Sequence, residues 1–351
     1  MRFSLFAFIL FLTACTSKPE PIADSDKVKK ESVNHAKHFR FVEKGNQTVI
    51  EILNPDSKAV VVTLTPLKEN KQVIALSGTF IGMLDKLQLA EYISGVSEIK
   101  YVDNAIVKKN FSKKKVLEAG YDTQLALEPI VANKPALVLH SGYNTDFPHQ
   151  KQLENVGISC VPIYDWREET PLGKAEWIKV YGFLYGKSAQ ASELFASIEK
   201  AYLALKEEAK MLQPSKLLIS GNVIGSEWYT PAGESFFAQL LKDANITYNY
   251  FNKPGTGSIA LTQEEVLKDN RHASYWINPG AVSLHDLKIM NPKAVLFDAF
   301  TNQQTYCHTH NENFYWEVSS IEPDKLLADL IQIAHPEHTA KQDLYFYSRL
   351  K

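Results

Sequence analysis

Few groupings in this chain have the spacing that chemistry demands. His308 and His310, in the run "YCHTHNEN" (306–313), are its most closely spaced histidines. In a strand or turn both rings could face one metal ion, but such pairs are more often solvated loop residues and no further ligands converge by spacing. "GTGS" (255–258) lacks the strand-to-helix setting of a phosphate loop or a nucleophile turn. No nucleotide fingerprint, Walker-type loop or nucleophile elbow accompanies it. No catalytic residue, resident metal or cofactor is therefore expected. An enzyme acting on a cofactor, or a receptor for bare metal ions resting on His308 and His310, stays a rival reading.

Aromatic placement says more. Tyr143 follows a strand-like run at 136–140, and Tyr164, Trp166 and Arg167 follow one at 158–163. Trp228 and Tyr229 follow 216–220, Trp276 and Asn278 follow 273–275, and Phe300 and Tyr306 follow 294–297. In open parallel α/β sheets, ligands bind beyond the carboxyl ends of the strands. Any single ring could instead pack beneath its own lobe. Repetition at several strand ends points to a wide, flat-walled cleft, suited to a bulky planar or macrocyclic ligand. Tyr143, Trp166, Arg167, Trp228, Trp276 and Tyr306 are accordingly expected to bind the ligand, with Arg167 meeting an anionic chelate.

Two glutamates open helices in matching positions. "LALEPIVANKPALVL" (125–139) sets Glu128 before Pro129, a residue suited to the first helical position. "IALTQEEVLKDNRHASYWI" (259–277) carries Thr262 and Glu265 as a capping box, which leaves Glu264 to point outward. Both carboxylates could do no more than complement a helix dipole.

Cys15 raises a question of processing. Arg2 precedes an apolar run from Phe3 to Ala14, and a polar stretch follows the cysteine directly. That is the layout of a secretory signal, and the run is well short of the roughly 20 residues of a spanning helix. Leu12-Thr13-Ala14-Cys15 resembles the bacterial lipobox, in which the thiol is acylated and becomes the new first residue. Residues 1–14 are read as a signal peptide, Cys15 as a lipidation site and 15–40, polar and of mixed charge, as a flexible tether with a reach of roughly 25 Å. The formal charge of -2 gives no electrostatic footprint for nucleic acid.

The elements that must position these residues alternate. A hairpin is predicted from "TVIEIL" (48–53) and "AVVVTL" (59–64). Strands at 72–76, 136–140 and 158–164 alternate with helices at 79–88, 128–134 and 147–155, forming an N-terminal α/β lobe over 41–170. Apolar positions then recur near every 3.5 residues from Trp177 to Ala209, broken at Gly186. These connecting helices, 171–212, include one of about 35 Å. Strands at 216–220, 246–251, 273–278 and 294–300 with helices at 234–243, 262–269 and 322–334 make a C-terminal lobe over 213–351. Cys160 and Cys307 fall in different lobes and are expected to be free thiols.

The run "LEPIVANKPALVL" resembles the N-lobe signature of ABC-importer binding proteins for cobalamin, haem and ferric siderophores. "ISGVSEIKYV" (93–102), "TPLGKAEWIKVYGFLYGK" (170–187), "GESFFAQLLKDA" (233–244), "TGSIALTQEEVL" (256–267) and "YWEVSSIEPDKLLADLIQIAHPE" (315–337) are similar to the same family, in its order. The resemblance implies two Rossmann-like α/β lobes joined by a single long rigid helix, with the ligand cleft between them. It also implies a periplasmic, lipid-anchored receptor that delivers a metal chelate to an ABC permease and its ATPase. One docking glutamate per lobe would fall on Glu128 and Glu264. The sequence departs from the family in Ala136, where Asp is common, and in the histidines of 306–313.

Overall fold

The structure, a computed structural model, describes residues 32–143, 147–308, 314–338 and 343–351. The signal segment, Cys15 and His310 lie outside them.

The chain enters the described fold through two carboxylates. Glu176 accepts the amides of Asn34 (3.0 Å), His35 (2.7 Å) and Ala36 (2.8 Å), and Glu168 accepts those of Lys37 (2.9 Å) and His38 (3.2 Å). Lys179 neutralises Glu176 at 2.7 Å and binds the Ser32 carbonyl at 2.8 Å, while the Trp177 indole donates to Glu168 at 3.0 Å. Charge-assisted bonds of this kind are about twice as strong as neutral ones. The expected tether boundary at residue 40 is thereby corrected. Ser32 to His38 are fixed in place, although their composition alone promises no order.

The predicted hairpin is present and larger than expected. Phe39–Lys44, Gln47–Leu53 and Val60–Leu64 form an antiparallel sheet in which Arg40 stands opposite Glu51 and binds it at 2.7 Å. Behind it lies a parallel sheet in the order Ser159–Pro162, Leu137–His140, Val73–Ala75, Ile93–Val96, Leu117–Glu118. The strand order reverses between Val73–Ala75 and Leu137–His140, which makes their carboxyl ends the switch point where such sheets bind ligands.

Three helices lead to the second lobe: Pro171–Glu176, Ile178–Leu184 and Ser188–Lys210. Thr170 caps the first by accepting the Gly173 amide at 3.0 Å, with Pro171 in the first turn. Gly186 turns the chain at φ +69, a left-handed conformation that glycine adopts without steric cost, so the break expected there is present. The 23-residue last helix buries Ala191, Phe195, Ile198, Tyr202 and Ala209 along one stripe. Among the described residues no helix is long and apolar enough to cross a membrane.

The C-terminal lobe holds Leu218–Ser220, Tyr275–Ile277 and Thr305–His308 in parallel, with Tyr347–Arg349 antiparallel at the edge. A second, antiparallel sheet of Asn222–Ile224, Glu227–Pro231 and Ser258–Thr262 covers it. Two expected strands are corrected. At 246–251 the chain makes only one bridge, Thr247 to Leu217, because it turns away from Asn249 onward, with the Lys253 amide donating to the Tyr250 carbonyl at 3.1 Å. Over 294–300 the chain is helical, in Pro292–Leu296 and Asp298–Thr301, started by Asn291 accepting the Lys293 amide and by Pro292 behind it. Cys160 and Cys307 are both buried and free.

Candidate functional site

The turn Ser77-Gly78-Thr79 closes the Val73–Ala75 strand and opens the helix Gly78–Lys86. Three groups of residues meet around it.

On one side, Thr79 binds the buried carboxyl of Asp165, whose pKa is raised by burial and held down in part by Lys174. Lys174 reaches towards the second lobe, its ammonium 4.6 Å from the Phe236 ring, and its own pKa is lowered by burial. Trp166 comes next. Its indole donates to the Ser141 carbonyl at 2.6 Å, and Tyr143, 67% exposed, stacks on it with centroids 4.4 Å apart. Arg167 lies 5.3 Å from the Trp166 ring and pairs with Asp56 at 2.6 Å. The loop bearing Tyr143 is held by Asp122, which accepts the Ser141 amide at 2.8 Å.

On the other side, a pocket of about 170 Å³ is lined by Ser77, Ser97, Glu98, Tyr101 and Tyr121. Glu98 binds the Tyr121 hydroxyl and pairs with Lys100 at 2.5 Å. Tyr101 is 55% exposed.

Across from both stands the Tyr315–Val318 helix of the second lobe. A Cβ on Gly78 would lie 3.4 Å from the Trp316 carbonyl oxygen, and Trp316 itself is 54% exposed. His308 stacks on Tyr315 at 3.8 Å and meets Trp316 edge-on at 5.0 Å. Glu317, 2% exposed, crosses to the first lobe: its Oε1 accepts the amides of Asp103 at 2.6 Å and Asn104 at 3.1 Å. Close by, Lys86 of the first lobe pairs with Glu322 of the second at 2.6 Å.

Trp166, Arg167 and Tyr143 are thus brought together. Trp228 and Trp276 are not part of that surface, and the expectation for them is corrected. Both are 0% exposed, tilted on each other at 5.4 Å and on Phe297 at 5.6 and 5.2 Å, with their indole nitrogens donating to Ser220 and Gly221 carbonyls. They sit within strands rather than after them, on faces turned inward. Tyr306 lies half-buried along its strand with its hydroxyl on Gln304 at 2.8 Å. Among the described residues no group of three or more His, Cys, Asp or Glu could hold a metal ion.

Tyr101, Tyr121 and Trp316 were outside the expected set. The short strand Ile93–Val96 that precedes Tyr101 offers only "ISGV", too little for a periodic signal. Glu128 is exposed in the first turn of Leu127–Asn133. Thr262 does accept the Glu265 amide at 3.1 Å, but the Glu265 side chain turns to Lys253 at 3.4 Å, and Glu264, expected to be free, is exposed and paired with Lys293 at 2.6 Å.

A family model described as periplasmic binding protein matches residues 73–291. An uncharacterized lipoprotein of Methanocaldococcus jannaschii is 25% identical over 308 residues, covering 85% of this chain and 71% of that one. Among solved structures, a periplasmic heme binding protein from Pseudomonas aeruginosa superposes with a TM-score of 0.62 at 15% identity, covering 81% of this chain and 99% of that one. Helicobacter pylori CeuE with Ni(II) bound gives a TM-score of 0.59 at 19% identity, covering 79% and 87%. Both share the fold of two α/β lobes joined by a long helix.

Proposed function

Because the chain belongs to the periplasmic binding protein family, we propose that this substrate-binding protein is the lipid-anchored receptor of an ABC importer for a metal chelate: a ferric siderophore, a corrinoid or haem. The observation that carries the reading is the set of aromatic residues around Ser77-Gly78-Thr79: Tyr101 and Tyr121 in the pocket that Ser77 and Gly78 line, Tyr143 stacked on Trp166 beside Asp165, and exposed Trp316, whose backbone carbonyl lies against Gly78. Aromatic residues gathered from both lobes suit a large planar or macrocyclic ligand, and Arg167 beside Trp166 suits an anionic one.

The mechanism is capture, docking and release. Ligand enters between the lobes, Glu128 and Glu264 meet arginines of the permease, and ATP hydrolysis at the partner subunits drives the release. Cys15 supplies the lipid anchor and residues 1–14 the export signal. Tryptophan fluorescence titrated with hemin, cobalamin, a ferric catecholate and Ni(II) tests this. Saturable quenching by one chelate without turnover supports it. Response to Ni(II) alone, lost in His308→Ala, would favour a bare-metal receptor, and consumption of the ligand would favour an enzyme.

A further inference from the structure

One carboxylate ties the two walls of the cleft together. Glu317 directly follows Trp316, and the two amides it accepts belong to Asp103 and Asn104, which closely follow Tyr101. Tyr101 and Trp316 are both more than half exposed, yet each is joined through one or two peptide bonds to a buried inter-lobe hydrogen bond. Both amides converge on Oε1, so Oε2 can carry a proton without either bond being broken.

The charges around Glu317 favour that proton. From the Gly78–Lys86 helix come Asp85 and Lys86, and Lys86 is committed to Glu322 at 2.6 Å. From the segment 102–104 comes Asp103, which pairs with Lys108 at 3.8 Å. On its own lobe, Lys325 is also committed to Glu322 at 2.6 Å. A negative charge on Glu317 would therefore be desolvated beside two acids, a penalty that the two amide N–H bonds to Oε1 offset only in part, while Lys86 and Lys325 are engaged by Glu322.

We infer that Glu317 is the positioning residue that sets the separation of Tyr101 and Trp316, and that it draws the lobes together by taking up one proton from solvent, returned when they part. The effect on ligand capture rests on the cleft reading above; the closure itself does not. Burial, with Asp103 and Asp85 alongside, raises the Glu317 carboxyl from 4.5 to about 7. Its contribution to closure is therefore complete below about pH 4.5 and is lost as pH rises through about 7, on the order of a hundredfold in the closing constant.

Hydrogen exchange of the Asp103 and Asn104 amides in the ligand-free protein, corrected for intrinsic rates, reads the contact directly. Protection in the wild-type protein should fall about tenfold between pH 6 and pH 8. Glu317→Gln keeps the acceptor oxygen and cannot ionise, so its protection should stay flat. A flat wild-type profile, or a Glu317→Gln profile with the wild-type slope, would overturn the inference. Should the variant not fold, the carboxyl carbon of Glu317 in the wild type decides by NMR: a midpoint near 7 supports the inference and one near 4.5 overturns it. Hemin titration at pH 6 and pH 8 is a separate arm. If no chelate binds at either pH, the ligand reading fails while the exchange profile still settles the role of Glu317.

Discussion

Gly82 lies under Glu317 so closely that a Cβ built on the glycine would stand 1.9 Å from the Glu317 carbonyl oxygen. The helix that carries Gly78 and Gly82 offers a bare strip of backbone, and the Tyr315–Val318 helix of the other lobe rests on it. No rotamer change can relieve such a clash, because backbone meets backbone.

Gly82→Ala should therefore push the lobes apart at this edge. Overpacking of this kind costs about 1–3 kcal/mol, to be seen as a lower denaturant midpoint, and exchange at Asp103 and Asn104 should rise with it. Gly257, with nothing within 4 Å of where its Cβ would stand and no left-handed φ, supplies the control position for the method.

The tryptophans separate into two classes that mutation can distinguish. Trp228→Ala should cost about 3–5 kcal/mol of stability, as a buried aromatic does when truncated, because it would leave Trp276 and Phe297 facing a void. Trp166→Ala should leave the denaturant midpoint close to wild type and weaken chelate binding about tenfold, the scale expected for an aromatic anchor. Equal loss of stability in both would contradict the assignment of Trp166 to the cleft wall.

Charge reversal at Glu128 or Glu264 should abolish uptake in cells without changing chelate affinity of the purified protein. At Glu264 the substitution also sets Arg against Lys293, which is held 2.6 Å from the native carboxylate. Exposed pairs contribute little to stability, so the thermal midpoint should not move. Unimpaired uptake by both variants would remove these residues from the docking surface.

Acid should destabilise the first lobe through His140. Its ring is buried and stacked on Phe147 at 3.9 Å, and burial lowers its pKa from 6.5 to about 3. A depressed histidine contributes stability that is whole above about pH 6.5 and is lost as pH falls towards 3, on the order of 3–5 kcal/mol in all. His140→Phe should flatten the stability profile across that interval in urea titrations. An unchanged slope would mean that other groups carry the acid sensitivity.

Periodicity made the alternating lobes and the Ser188–Lys210 helix legible in advance, since both depend on runs long enough to show a repeat. It failed where the deciding contacts are distant in sequence. "AVLFDAF" has the composition of a strand, yet Asn291 and Pro292 start a helix there, and the true strand, Thr305–His308, pairs with residues near the carboxyl end of the chain. Seeing that Trp228 lies within a strand, not beyond one, required knowing that Glu227–Pro231 is itself a strand. Trp166 and Tyr143, which stack on each other, could be read from sequence as neighbours because they follow strong strands of the sheet. Tyr101 and Trp316 could not, because Tyr101 follows a strand of only four residues and Trp316 sits on a single helical turn, both too short to show a repeat.

The two carboxylates that grip Asn34 to His38 belong to Glu168 and Glu176, beside and within the first of the helices that run between the lobes. Tension applied to the chain upstream of Asn34 is therefore delivered to the joint of the molecule and to neither lobe alone. A pull on the chain from upstream would thus fall first on a handful of amide hydrogens and on Lys179, which binds both Glu176 and the Ser32 carbonyl.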